Sequence, residues 1–198
     1  MRAALAAVVL LAACGSNPYE TKVEGIRLAD ADKVVEAEPG PVVKLTLEEL
    51  EPAIPEVPAA RLVIARDVSW DRVQKTLARF DEAKVRPIIL VGTAGKLGAL
   101  VLSDEISEQS IHLTATADGK FCVGPPTTGE ARCTKSVSGA HIPRNYVREE
   151  IRAAVKAYRL TDVDVVLDPN MWWVDVVHAL DGARTCCKGT PINVKIVG

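Results

Sequence analysis

An α+β fold, built as two-layer mixed sheets with helices on one face, is the class this sequence predicts. Three observations predict it. Two strand–helix–strand patterns follow one another along the 198 residues. Each of their helices carries a single apolar stripe at helical spacing. Between them, residues 110 to 116 (SIHLTAT) alternate with period two and lead through Asp118-Gly119 into Lys120-Phe121-Cys122-Val123, the pattern of a β-hairpin.

The elements follow in order. Residues 36 to 60 hold Pro39, Pro41, Pro52, Pro55 and Pro58, which leave room only for a helical turn around Leu47 to Leu50. Leu62-Val63-Ile64 is a buried strand, and Asp67 or Ser69 is placed to cap the helix after it. Trp70, Val73, Leu77 and Phe80 form that helix's stripe, and residues 87 to 92 (PIILVG) close the unit as a strand. Residues 98 to 102 (GALVL) give a further strand. Gly92-Thr93-Ala94-Gly95-Lys96 lacks the spacing and the following Ser or Thr of a phosphate loop and reads as a turn.

In the second half Pro143 opens a helix with Val147, Ile151, Val155 and Tyr158 on one face. Val163 to Leu167 is a strand, and Asn170 is placed to cap the next helix, whose stripe is Trp173, Val176, Val177, Leu180 and Ala183. Residues 191 to 197 (PINVKIV) give the last strand. An offset of 103 positions carries Leu62-Val63-Ile64 onto Val165-Val166-Leu167, Trp70 onto Trp173, Val73 onto Val176 and Leu77 onto Leu180 without a gap. Matching tryptophans at one helix turn predict an internal duplication.

Composition narrows the function. Hydrophobic residues make up 48% and charged residues 25%, ordinary for a globular protein. A formal net charge of −2 offers no broad basic surface to nucleic acid. Aromatic content of 4% leaves few stacking platforms besides Trp172 and Trp173.

At the start, Arg2 precedes an apolar run from Ala3 to Ala13, closed by Leu11-Ala12-Ala13-Cys14. This resembles a bacterial lipoprotein signal peptide with its lipobox. The run is shorter than the ~20 apolar residues that a bilayer span requires. The resemblance makes residues 1 to 13 the removed leader and Cys14 the lipidated first residue of the mature chain. It implies membrane attachment through acyl chains, each buried CH₂ contributing about 0.8 kcal/mol. An ordinary signal peptide cut at another small residue is the rival. Gly15, where Asp would retain many lipoproteins at the inner membrane, favours the outer membrane slightly. Residues 14 to 23 then read as a lipid-anchored tether.

Four cysteines remain after Cys14. In an oxidising compartment they allow three connectivities. Cys122 with Cys133 is preferred because the segment between them reads as a hairpin, and such a bridge stabilises by about 3 kcal/mol. Cys186 and Cys187 are adjacent, so they bond to each other only with strain, or one or both stay reduced.

The second half resembles the periplasmic domain of the ExbD/TolR family, the accessory subunits of biopolymer transport motors. The resemblance rests on the hairpin from Ile111 to Val123 with its Asp118-Gly119 turn, the helix from Pro143 to Tyr158, Val165-Val166-Leu167-Asp168, the helix with Trp173, Val176, Val177 and Leu180, and the strand after Gly189. It covers roughly residues 109 to 198. Residues 61 to 92 look like a partial copy with Ala65 where the second has Asp168. The expected organisation is a first, partial unit over 24–104 and a second over 105–198. The family's membrane helix with its embedded Asp has no counterpart here, so proton conduction is not carried over. What the resemblance implies is a homodimer, an envelope protein complex or peptidoglycan as partner. A proton-motor accessory role is the alternative.

Chemistry-bearing residues are sparse. His112, His141 and His178 show no metal-ligand spacing, and a zinc set of His178 with Cys186 and Cys187 is poorly spaced. Cys186-Cys187 lacks the two-residue separation of a thioredoxin-like pair, which argues against a thiol-dependent or metal-dependent enzyme. No catalytic residue, metal or cofactor is expected. Asp168 and Asp175 flank the start of the last helix, where negative charge is favourable. Neighbouring helix positions point about 100° apart, so Trp172 and Trp173 cannot share a face. Trp173 fits the core. Trp172 either faces outward as a partner anchor or packs under residues 36 to 60. Trp172 and Asp168 are the candidate interaction residues.

Overall fold

The computed structural model describes residues 20–49, 51–125, 130–136 and 141–197. Cys14, the leader and residues 15–19 of the tether lie outside them. The described chain is α+β, with three helices and mixed sheets.

The first half begins with a short hairpin of β1 (Lys22–Val23) and β2 (Ile26–Arg27). Residues 20–23 therefore belong to the folded body, although the sequence had them in the tether. Next come β3 (Val42–Leu45), β4 (Ala59–Ile64), helix α1 (Trp70–Glu82), β5 (Arg86–Thr93) and β6 (Lys96–Leu100). The four strands form one sheet in the order β3-β4-β5-β6, parallel except for the β5–β6 hairpin. That hairpin turns at Ala94-Gly95, both at positive φ, so the segment is the turn expected of it rather than a phosphate loop. The prolines had suggested a helical turn near Leu47. The structure has a strand at Val42–Leu45 followed by bends at 47–48, and Leu50 lies outside the described residues.

Both faces of this sheet are buried. Leu62, Ile64, Ile89 and Val91 join the core under α1. Their neighbours Val63, Ile88 and Leu90 pack beneath an N-terminal arm with Leu28, Val23 and Ile26. Burial on both sides is why β4 and β5 read as continuous apolar runs. The arm clings closely: a Cβ on Gly98 would lie 2.6 Å from Val34 Cβ, so only glycine fits beneath it. The arm is an added layer that periodicity did not foreshadow.

The second half supplies β7 (Ile111–Ala115), β8 (Lys120–Gly124), β9 (Arg132–Lys135), α2 (Arg144–Tyr158), β10 (Asp162–Leu167), α3 (Trp173–Arg184) and β11 (Asn193–Ile196). Strand order is β11-β10-β7-β8-β9, with β10 parallel to both neighbours and the β7-β8-β9 meander antiparallel. Helix α2 packs on β7 and β8, and α3 on β10 and β11, side by side over one face. The other face carries His112, Lys120, Val166 and Lys195 to solvent. One core runs through both halves.

Helix α3 is buried nearly all round, including Asp175, Asp181 and Arg184. The expected stripe is thus only part of its buried surface, because sheet, α2, α1 and the arm all reach it. Each buried charge has partners. Asp181 accepts the amides of Asp32 (3.0 Å) and Lys33 (2.8 Å). Arg184 reaches Asp104 through Nε (3.2 Å) and Nη2 (3.1 Å).

The halves meet through a reciprocal set of hydrogen bonds. Trp70 N donates to Met171 O (2.8 Å), and Trp173 N to Val68 O (2.7 Å). Asp71 N donates to Pro169 O (2.9 Å), and Val174 N to Arg66 O (3.0 Å). Each bond maps onto its counterpart under the 103-residue offset, and Ser69 pairs with its own equivalent, Trp172. The donors are the first-turn amides of α1 and α3, which have no partner inside their helices. Ser69 and Trp172 occupy the N-cap positions without a side-chain cap bond. The expected caps at Asp67 or Ser69 and at Asn170 are therefore replaced by the opposite half's loop carbonyls.

Candidate functional site

The loops that exchange these bonds, residues 65–69 and 168–172, frame one side of an open groove of about 390 Å³. Ala65, Arg66 and Asp67 come from the first loop, Trp172 from the second, Ile26 and Arg27 from β2, and His141 from the segment before α2. Trp173 turns into the core, so the next residue back must point away. Trp172 is 47% exposed. It is not covered by residues 36 to 60, so the outward alternative is the one observed.

Trp172 is held in place. The His141 ring lies 5.1 Å from it, tilted by 56°. His141 Nδ1 is 3.2 Å from both carboxylate oxygens of Asp175. Asp175 also accepts the amide of Ile142 at 2.8 Å and sits in the first turn of α3. A buried carboxylate on Nδ1 makes that nitrogen the donor and leaves Nε2 for other contacts. The charge of Asp175 is further favoured by the helix N-terminus.

Two arginines and one acid line the groove. Arg27 Nε pairs with Glu20 at 3.0 Å. The Arg66 guanidinium has no ion pair or hydrogen-bond partner among the described residues. Its backbone is fixed, donating to Arg27 O at 3.2 Å and accepting from Val174. Asp67 is the exposed acid of the set.

The other expected residues lie elsewhere. Asp168 does not line the groove; its Oδ1 accepts from Asn170 N (2.8 Å) and Nδ2 (3.2 Å), and its Oδ2 from Ala117 N (3.4 Å). It fastens the second loop to the β7–β8 turn. Cys122 and Cys133 face each other across β8 and β9 at disulfide distance, with Cα atoms 4.0 Å apart. The Cys186 and Cys187 sulfurs are also within bonding distance of each other. His112 Nδ1 contacts Asp164 at 2.5 Å on the open sheet face.

A second charged cluster joins the arm to the helices. Arg144 contacts Asp30 at 2.5 Å and Asp32 at 3.0 Å, with Nε 3.1 Å from buried Asp181. Arg148 reaches Asp32 at 2.8 Å. His178 Nδ1 donates to Ile142 O at 3.1 Å, and its Nε2 is 3.7 Å from Asp30. His178 foremost, with Arg144, holds the Asp30 carboxyl well below the usual carboxylate range. Among the described residues no group of three or more His, Cys, Asp or Glu is arranged to hold a metal, and no helix is long and apolar enough to cross a membrane.

Sequence reasoning found Trp172 and missed its companions. Arg27, Arg66 and His141 are far apart in the chain and carry no shared spacing. The one available hint was the 103-residue offset, which sets residues 66–69 beside 169–172 once the units are allowed to meet. No family model, curated protein or solved structure matches the chain.

Proposed function

We propose that this protein is a lipid-anchored lipoprotein of the bacterial envelope whose ExbD/TolR-like domain binds a partner rather than catalysing a reaction. The exposed Trp172, fixed by His141 at the edge of an open groove, carries this reading. Tryptophan and arginine dominate the contacts that hold protein partners together. The sequence of hairpin, helix, strand, helix and strand from β7 to β11 supports the family resemblance. The reciprocal bonds at the 103-residue offset support a duplicated unit, with the two copies packed face to face as two subunits of a dimer would be. Cys14 supplies the anchor, and the groove faces the periplasm.

The experiment is performed in a bacterial host on the full chain. Cys14→Ala should release the protein from the membrane fraction, and retention would count against the anchor. A photo-crosslinking residue at position 67, on the groove beside Trp172, should give a discrete adduct that the same residue at exposed Val166 does not. Adducts identical at both positions, or none at 67, would overturn the binding role.

A further inference from the structure

The local two-fold arrangement of backbone bonds is not matched by the side chains around it. Ser69 and Trp172 are equivalent and pair with each other, yet only one of them is aromatic. Arg66 and Asp67 correspond to Pro169 and Asn170. The groove beside Trp172 therefore combines an indole with a guanidinium. A mirror-related groove would combine Ser69 with Pro169 and Asn170, offering neither. The backbone bonds are the same on both sides, so packing of the halves does not demand this difference.

We infer that this groove takes an acidic peptide segment, with a carboxylate on Arg66 and an adjacent apolar side chain on Trp172. The inference rests on the binding role proposed above and names the partner's chemistry. Arg66 is a planar donor that no protein carboxylate engages among the described residues, and a carboxylate matches its fork. Arg27 is already engaged by Glu20, so Arg66 is the cation of the groove left for a ligand. Trp172 is pre-oriented, because His141 beneath it is bound to the buried Asp175. A rigid aromatic surface next to a fixed cation lowers the ordering cost of a short peptide. An anionic membrane surface is the poorer occupant. Recognition of lipid headgroups uses clusters of about four to eight Lys or Arg, and this groove has two in a chain of net charge −2.

The test is selection of phage-displayed random heptapeptides on the immobilised full chain, with the same selection on Trp172→Ala and Arg66→Glu. The expected result is enrichment of Asp or Glu beside an apolar residue, about tenfold over the starting library, as one charge-assisted contact allows. Trp172→Ala should abolish the enrichment, and Arg66→Glu should turn it toward Lys and Arg. Both variants must first match the parent in urea midpoint. Enriched sequences that need Trp172 but ignore charge would overturn the acidic preference while leaving the groove as a binding site. Enrichment unaffected by Trp172→Ala, or none at all, would overturn both.

Discussion

The indole rings of Trp70 and Trp173 stack 6.1 Å apart and 14° from parallel, and each residue's amide bonds to a carbonyl just before the other's helix. The same pair thus seals the core between the halves and completes the first turns of α1 and α3. An equivalent Trp pair was visible in the sequence as a repeat; its meeting across the seam was not.

Removing either ring opens a cavity in this seam. Trp173→Ala and Trp70→Ala should each cost about 3–5 kcal/mol in urea denaturation. The double variant should cost less than the sum by about 1 kcal/mol, the coupling of a stacked pair. Trp172→Ala, one position away but on the surface, should stay within about 0.5 kcal/mol. A Trp172 effect as large as that of Trp173 would contradict the opposite orientation of the two rings.

Asp181 is fully buried and accepts two amides of the arm. Asp181→Ala leaves those two amides without their acceptor and removes the buried charge beside Arg144 Nε, and should cost about 3 kcal/mol. Hydrogen exchange at Asp32 and Lys33 should accelerate in this variant before global unfolding. Unchanged exchange there would show that the arm is held without Asp181.

Helix α2 crosses α3 at Gly182. An added Cβ would sit 2.9 Å from both Arg144 O and Val147 Cβ. Alanine improves helix propensity by about 1 kcal/mol, but overpacking between two helices costs about 1–3 kcal/mol. Gly182→Ala should therefore lower the urea midpoint. A rise would mean that the two helices have room to part.

Acid should loosen the arm. The folded state holds Asp30 below its ordinary value of 3.8, chiefly through His178 and then Arg144, while burial pulls the other way. A depressed carboxylate contributes stability above its unfolded value and loses it as the pH falls through the folded one. Asp118, held at about 2 by the Thr116 hydroxyl and Lys135, behaves likewise. The urea midpoint should fall as pH drops below about 4, and Asp30→Asn should flatten part of that fall. An equally steep fall in Asp30→Asn would remove this carboxylate from the account.

The elements with strong local patterns were legible. The stripes of α1 and α3, the Asp118-Gly119 hairpin and the turn at Ala94-Gly95 depend on neighbours in sequence, and they stand where the pattern put them. Val42–Leu45 was hidden because four residues in a proline-rich stretch make no period, and its pairing with β4 is tertiary. The helix caps were misassigned for a related reason. Side-chain capping is the default way to satisfy first-turn amides, and a sequence cannot show that backbone from a hundred residues away does it instead. In the site, the angle between adjacent helix positions separated Trp172 from Trp173 but left its exposure open, and the structure places it as the extended N-cap, 47% exposed. The gathering of Arg66 and His141 around it followed from the seam, which no local signal encodes.

The reciprocal bonding also fixes when the chain can finish. Synthesis proceeds from the N-terminus, so α1 emerges well before Pro169 and Met171, whose carbonyls its first amides require. At about 5–20 residues per second, that wait is on the order of ten seconds. The arm waits longer, since Asp181 follows Asp32 by 149 positions. Neither half has its full set of bonds until residues 169–181 have been made. The last acceptors to be made, Pro169 and Met171 before α3 and Asp181 within it, close bonds with segments made long before.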